Sequence, residues 1–127
     1  MKKILFIFVC LVLLSGCGND IEEEKKIVAD VKKITCADVN PLVDKGAIII
    51  DVRTSDEYKV DHLENSININ NDVIKYTIGN YVSDFNTPII VYCQSGNRSA
   101  ESADTLVNLG YTEVYDMGSI TGCYGEE

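Results

Sequence analysis

The chain has 127 residues, with 11 Lys and Arg against 20 Asp and Glu, a single His, and a formal net charge of −9. That length suits one domain with a real core and excludes two of ordinary size. The acidic balance excludes a surface that gains from nucleic acid or from anionic lipid headgroups.

Met1-Lys2-Lys3 is a basic start, and Ile4 to Leu14 is an unbroken apolar run of eleven residues. A bilayer span needs about 20 apolar residues, so the run is too short to cross and fits the hydrophobic region of a signal peptide. Leu14-Ser15-Gly16-Cys17 follows and resembles the lipobox of bacterial lipoproteins. That resemblance implies cleavage after residue 16 and lipid on Cys17, with the membrane contacted through that lipid. The expected location is the extracytoplasmic face of the cell membrane, at the cell surface or in the periplasm. Loss of Lys2 and Lys3 leaves nine basic against twenty acidic residues, a mature charge of −11.

Cysteines stand at 10, 17, 36, 93 and 123. With Cys10 in the signal and Cys17 lipidated, three thiols remain with no CxxC pair, which argues against a disulfide framework and against a zinc site. Cys36 and Cys123 are read as filler, Cys123 being the better candidate for resolving an oxidised Cys93.

In chain order, residues 17–32 are polar and charge-rich, including Glu22-Glu23-Glu24-Lys25-Lys26, and read as a solvated tether. The domain is expected over 33–127. Thr35 with Asp38 offers a capping-box start, and Asn40-Pro41 a second, for a short helix ending near Lys45 before Gly46. Ala47 to Val52 is an apolar, β-branched run that reads as a strand buried on both faces. Ser55, backed by Asp56 and Glu57, opens a short helix, Ile67–Ile69 is a brief strand, and 72–85 holds short helical pieces around Gly79. Pro88 to Tyr92 is the second strong strand. Ser99 to Asn108 has helical spacing and closes at Gly110, and Val114–Asp116 is a last short strand. Strands alternating with helices predict an α/β fold with a mainly parallel sheet, and the chain shows no repeats.

The chemistry concentrates in Cys93-Gln94-Ser95-Gly96-Asn97-Arg98, directly after a buried strand and before a helix. Such a turn aims successive backbone amides inward and forms a cradle for an anion. The helix dipole and the Arg98 charge favour thiolate, the nucleophilic form of Cys93. Asp51 and Arg53 lie at the end of a buried strand, where α/β folds place their sites, and an Arg53–Glu57 ion pair is expected to brace the next helix.

The loop with Ser99, Cys93-x-x-Gly96-x-Arg98-Ser99, resembles the active-site motif of the rhodanese, or thiosulfate sulfurtransferase, family. Asp51-Val52-Arg53 with Glu57-Tyr58, His62-Leu63 with Ser66-Ile67-Asn68-Ile69, and Asp116-Met117-Gly118-Ser119-Ile120 resemble further family segments, together covering nearly all of 33–123. Three departures stand out: Asn65 and Ser119 where the family usually has Gly, and Cys123 or Tyr124 at a position usually held by Trp.

The resemblance implies a three-layer domain on a five-stranded, mainly parallel sheet, and a monomer. It implies that Cys93 takes sulfane sulfur from thiosulfate or a persulfide and passes it to a thiol or cyanide. Gln94, Ser95, Gly96, Asn97, Arg98 and Ser99 would bind substrate, with Asp51 and Arg53 in support. It implies no metal and no organic cofactor, and gives His62 a place in a structural turn rather than a catalytic role. A sulfane-sulfur carrier without turnover is the alternative from another class. A small phosphatase or arsenate reductase is disfavoured, because those relatives carry one more residue than the six from Cys93 to Arg98.

Overall fold

Ile89 to Cys93 is buried along its whole length, and this strand forms the middle of the sheet. The computed structural model describes residues 29–124. The expected signal peptide, the expected lipid site at Cys17 and most of the expected tether lie outside the described residues. Five strands run β1 (Lys32–Lys33), β2 (Ile48–Asp51), β3 (Ile67–Asn68), β4 (Ile89–Cys93) and β5 (Val114–Ser119). They are ordered β1-β5-β4-β2-β3 with every neighbouring pair parallel, as the alternation of elements predicts. The helices are α1 (Val39–Asp44), α2 (Ser55–Val60), α3 (Ile74–Thr77) and α4 (Asn97–Leu109), with 3-10 turns at Cys36–Asp38, Ile78–Asn80 and Ile120–Cys123.

Side chains alternate across a strand, so β4 feeds two cores. Ile89, Val91 and Cys93 pack with Ala103, Leu106 and Val107 of α4 and with Ile74 of α3. Ile90 and Tyr92 point the other way, to Val39, Ile49, Met117 and Ile120. This parity puts the Cys93 side chain on the α4 side. Beside it, the β4–β5 register slips between Val91, opposite Asp116, and Tyr92, opposite Gly118, so that Met117 is the extra residue of a bulge.

Several boundaries differ from the sequence expectation for local reasons. The capping box on α2 is built by Thr54 rather than Ser55, its hydroxyl accepting from the Glu57 amide at 3.3 Å while the Glu57 carboxylate accepts from the Thr54 amide at 2.9 Å. Thr35 and Asp38 do form a box, but it opens the Cys36–Asp38 turn, and α1 is under way before Asn40 can cap it. Pro41 is tolerated because the first turn leaves its missing N–H unneeded. The α4 helix starts at Asn97, two residues earlier than its apolar spacing indicates, and ends in a Schellman arrangement with Gly110 at φ 115°.

Two readings are overturned. Lys32 and Lys33, placed in or beside a tether, are strand β1, and Ala29 and Val31 pack against the α4-side core. Paired charge holds this edge, with Lys33 bonded to the buried Asp116. Second, Cys36 and Cys123 form a disulfide, with Cα atoms 5.2 Å apart and 87 residues of separation. An odd thiol count does not exclude one pair plus one free thiol. Sequence distance also hid the approach, since the turn after β1 and the turn after β5 share one end of the adjacent strands.

Candidate active site

Cys93 is the last residue of β4, and among the described residues it is the one free cysteine. It lies at the C-terminal end of the central strand, with Ser119 of β5 as its register partner and Asp51 of β2 opposite the preceding Tyr92. Three residues then turn the chain into α4. Gly96 takes φ 98°, a left-handed conformation that glycine adopts without a Cβ penalty.

This turn folds the chain back onto the sulfur. Gly96 N–H donates to Cys93 Sγ at 3.0 Å, and Ser99 N–H, in the first turn of α4, at 3.4 Å. Burial pushes the Cys93 thiol up, but the Ser99 hydroxyl and amide with the Gly96 and Ser95 amides outweigh it, and the thiol lies below its ordinary value. The amides thus favour thiolate in a residue with no exposed surface. The Ser99 hydroxyl oxygen lies 3.0 Å from the Gly96 carbonyl as well, so its one proton is shared between that oxygen and the sulfur, which ties the loop to the helix.

The two arginines are both committed. Arg53 is almost fully buried and gives Nε and Nη2 to the carboxylate of the buried Asp51, the shortest contact being 2.7 Å. It also donates to the Asp61 carbonyl at 2.6 Å and to Gln94 Oε1 at 3.3 Å, joining the end of α2 to the loop. The expected Arg53–Glu57 pair is therefore replaced by Arg53–Asp51. Glu57 instead grips Arg98, whose two terminal nitrogens meet its two oxygens at 2.7 and 2.9 Å. The Arg98 guanidinium, with the Thr54 amide, holds the Glu57 carboxyl down at about 2.

Of the other residues singled out from the sequence, Ser99 is buried, Arg98 and Gly96 are half-buried, and Gln94, Ser95 and Asn97 are exposed. His62 is on the surface, stacked on Tyr58 with ring centroids 3.8 Å apart and its Nδ1 bonded to the Tyr58 carbonyl at 2.8 Å. Asn65 has φ 64°, which explains a position where glycine is usual, since Asn tolerates the left-handed region. No group of three or more metal-ligating side chains occurs among the described residues.

The sequence reading missed three contributors. Glu57 was expected to start α2 and to pair with Arg53, and its grip on Arg98 was not foreseen. Ser119 donates its hydroxyl to the Gln94 carbonyl at 2.5 Å and so braces the loop from β5. Tyr124 bonds the Asp61 carboxylate beside the hollow lined by Arg53, Glu57, Val60 and Gln94. Only the capping spacing of Thr54 and Glu57 carried a signal for any of these.

A parallel sheet whose middle strand ends in a thiol, cradled by the amides that start the next helix, defines an α/β protein built to hold a sulfur anion. Comparison with known proteins makes the class specific: the chain belongs to the Rhodanese-like domain family, which matches residues 35–123. The thiosulfate sulfurtransferase PspE of Escherichia coli is 35% identical over 71 residues, 56% of this chain and 68% of that protein. The thiosulfate sulfurtransferase GlpE of Pseudomonas fluorescens is 27% identical over 92 residues, 71% of this chain and 81% of that one. A solved structure described as a rhodanese with anions from E. coli superposes with a TM-score of 0.59 at 31% identity, covering 63% of this chain and 94% of that one.

Proposed function

We propose that the protein is a rhodanese-type sulfurtransferase that carries sulfane sulfur as a Cys93 persulfide. The observation that carries this reading is the pair of backbone amides, Gly96 and Ser99, directed at the sulfur of the one free described thiol. In the first step, the Cys93 thiolate attacks the outer sulfur of thiosulfate. A bond forms between Sγ and that sulfur, the S–S bond of thiosulfate breaks, and sulfite leaves with the electron pair. An acceptor thiolate or cyanide then attacks the outer sulfur of the persulfide and releases Cys93 as thiolate. The loop amides accommodate negative charge in both states. Gln94, Ser95, Asn97 and Arg98 form the rim of this cradle, and Asp51 with Arg53 supports it from below.

The same proposal places the protein outside the cytoplasm, held to the membrane by lipid on Cys17 and acting as a monomer. The basic start, the apolar run and Leu14-Ser15-Gly16-Cys17 support export. The Cys36–Cys123 disulfide supports it independently, because such bonds persist in oxidising compartments.

The test is incubation with thiosulfate followed by intact-mass analysis and a cyanide assay. A mass gain of one sulfur on Cys93 and thiocyanate production, both lost in Cys93→Ala, are expected. Sulfur retained without turnover would make the protein a carrier, and no sulfur on Cys93 with any donor defeats the proposal. For anchoring, Cys17→Ala is expected to be released in soluble form.

A further inference from the structure

The large apolar side chains that stay in water are not scattered. Among the described residues six are exposed, and four of them, Val73, Tyr76, Tyr81 and Phe85, come from the one stretch 73–85. Single exposed apolar residues are ordinary, whereas a cluster marks a contact surface. Tyr76 and Phe85 line a hollow with Leu109 and Tyr111, and Lys75 is its one charged member. The hollow is braced from behind: the Phe85 and Tyr111 rings are 4.9 Å apart, and the Phe85 carbonyl accepts from the Thr112 amide at 2.9 Å. Tyrosine rings beside a lysine are residue types that settle at a lipid–water interface, ring toward the apolar side and polar tip in water.

Strand direction places this hollow in the domain. Every neighbouring pair of strands is parallel, so all five begin at one end and finish at the other. Cys93 closes β4 and marks the finishing end. Phe85 precedes β4, Tyr111 precedes β5, and α4 runs back from the Cys93 loop to Leu109, so the hollow belongs to the starting end. The thirteen residues of α4 put about 20 Å between the two ends. The chain also enters β1 at the starting end, with Ala29 and Val31 on the same α4-side core that Leu109 packs against. Twelve residues, 17–28, precede Ala29, a reach of at most about 40 Å. A lipid on Cys17 therefore keeps the bilayer within that distance of the aromatic end.

We infer that this end is a lipid-docking face: the domain rests Tyr76, Tyr81 and Phe85 in the headgroup region of the bilayer that holds its lipid, with the Cys93 loop at the far end, turned toward water. The inference rests on the proposed lipid anchor. The contact is apolar rather than ionic. Lys75 is set against Asp84 and Glu113, next to the aromatic stretch and to β5, on a chain of formal charge −9. Zwitterionic headgroups accept such a face, and anionic ones repel it. An acyl anchor alone leaves the domain free to turn, and the second contact gives it one orientation.

The chain contains no tryptophan, so a single introduced one reports its own surroundings. Tyr76→Trp and Val60→Trp place it at positions 79% and 87% exposed, the second in the hollow lined by Arg53 and Gln94 near the Cys93 loop. Each lipidated chain is reconstituted into phosphatidylcholine vesicles with and without brominated acyl chains. Tyr76→Trp emission should shift to the blue and be quenched at least about twice as strongly as Val60→Trp, as suits a side chain at the headgroup boundary. Adding phosphatidylglycerol should weaken that quenching. In the unsubstituted chain, hydrogen exchange over 73–85 should slow on vesicles relative to soluble Cys17→Ala. Equal quenching at both positions, or none at either, with the protein still sedimenting with the vesicles, overturns the docking and leaves the anchor standing. Stronger quenching with phosphatidylglycerol overturns the apolar contact. A blue shift that grows with protein concentration in the absence of vesicles assigns the face to a second copy and overturns the lipid contact. Protein that does not sediment with vesicles overturns the anchor, and the docking with it.

Discussion

The Gly96 amide reaches the Cys93 sulfur at 3.0 Å, in a turn where the left-handed Gly96 backbone, at φ 98°, sends the chain on into α4 so that the Ser99 amide returns to the same sulfur at 3.4 Å. A Cβ at Gly96 would meet nothing closer than the Gly118 Cα at 3.8 Å, so conformation rather than space demands glycine. Gly96→Ala should cost about 1–2 kcal/mol if the turn is kept. Relaxation of the turn would instead swing the amide away. The expected result is a folded protein with a modest drop in melting temperature and a rate of persulfide formation reduced by at least about ten-fold.

The hydrogen bonds to Cys93 set a pH dependence with a definite sign. Burial pushes the thiol up and the Ser99 hydroxyl and amide, with the Gly96 and Ser95 amides, pull it further down, so its value in the fold is lowered. A lowered acid contributes stability that is fully present above the unfolded thiol's pKa, near 8.5, and is lost as pH falls through the folded value. Alkylation of the Cys93 peptide by iodoacetamide, followed against pH by mass spectrometry, should give a midpoint below that of free cysteine. Ser99→Ala should move the midpoint up, and a midpoint unchanged in that variant would sink the role given to the hydroxyl.

What could be read from the sequence was whatever depends on neighbours along the chain. The β2 and β4 strands announce themselves as β-branched runs, and Cys93 to Arg98 is contiguous, so the nucleophile and its loop were legible together. Glu57–Arg98, Arg53–Gln94 and Ser119–Gln94 join elements far apart in sequence, and only the sheet order decides that they meet. The Arg53–Glu57 expectation failed because the Asp51 carboxylate, two residues before Arg53, takes its guanidinium while the distant Arg98 takes Glu57. Strand β1 escaped notice because Lys32-Lys33 carries no apolar signal and is stabilised by its partner strand and by Asp116.

The Cys36–Cys123 bond closes a span of 87 residues, and its loss should be felt across the domain. The chain-entropy argument gives about 4.6 kcal/mol for a span of this length, and about 2–4 kcal/mol is the usual net effect of such a link. The double variant Cys36→Ser/Cys123→Ser is therefore expected to melt about 10–20 °C lower for a domain of this size. Ser119, which caps the Ile120–Cys123 turn and holds the Gln94 carbonyl, connects the disulfide to the loop. Turnover per folded molecule should fall as well, measured well below the new melting temperature. An unchanged melting temperature would show that the two thiols do not pair in the folded protein.

The Asp51–Arg53 pair separates stability from positioning. Both side chains are almost wholly out of water, and removing one charge leaves the other buried without a partner, at a cost of about 3–5 kcal/mol. Asp51→Asn should therefore be severely destabilised. Replacing both residues, as in Asp51→Leu/Arg53→Met, removes the stranded charge, so the double variant should be more stable than the single one. It still lacks the guanidinium that joins the Asp61 carbonyl to Gln94. Its persulfide formation should stay slow even at temperatures where circular dichroism shows it folded. If the double variant instead recovers both stability and full sulfur transfer, Arg53 has no part in holding the loop, and the cradle amides are positioned by the sheet and α4 alone.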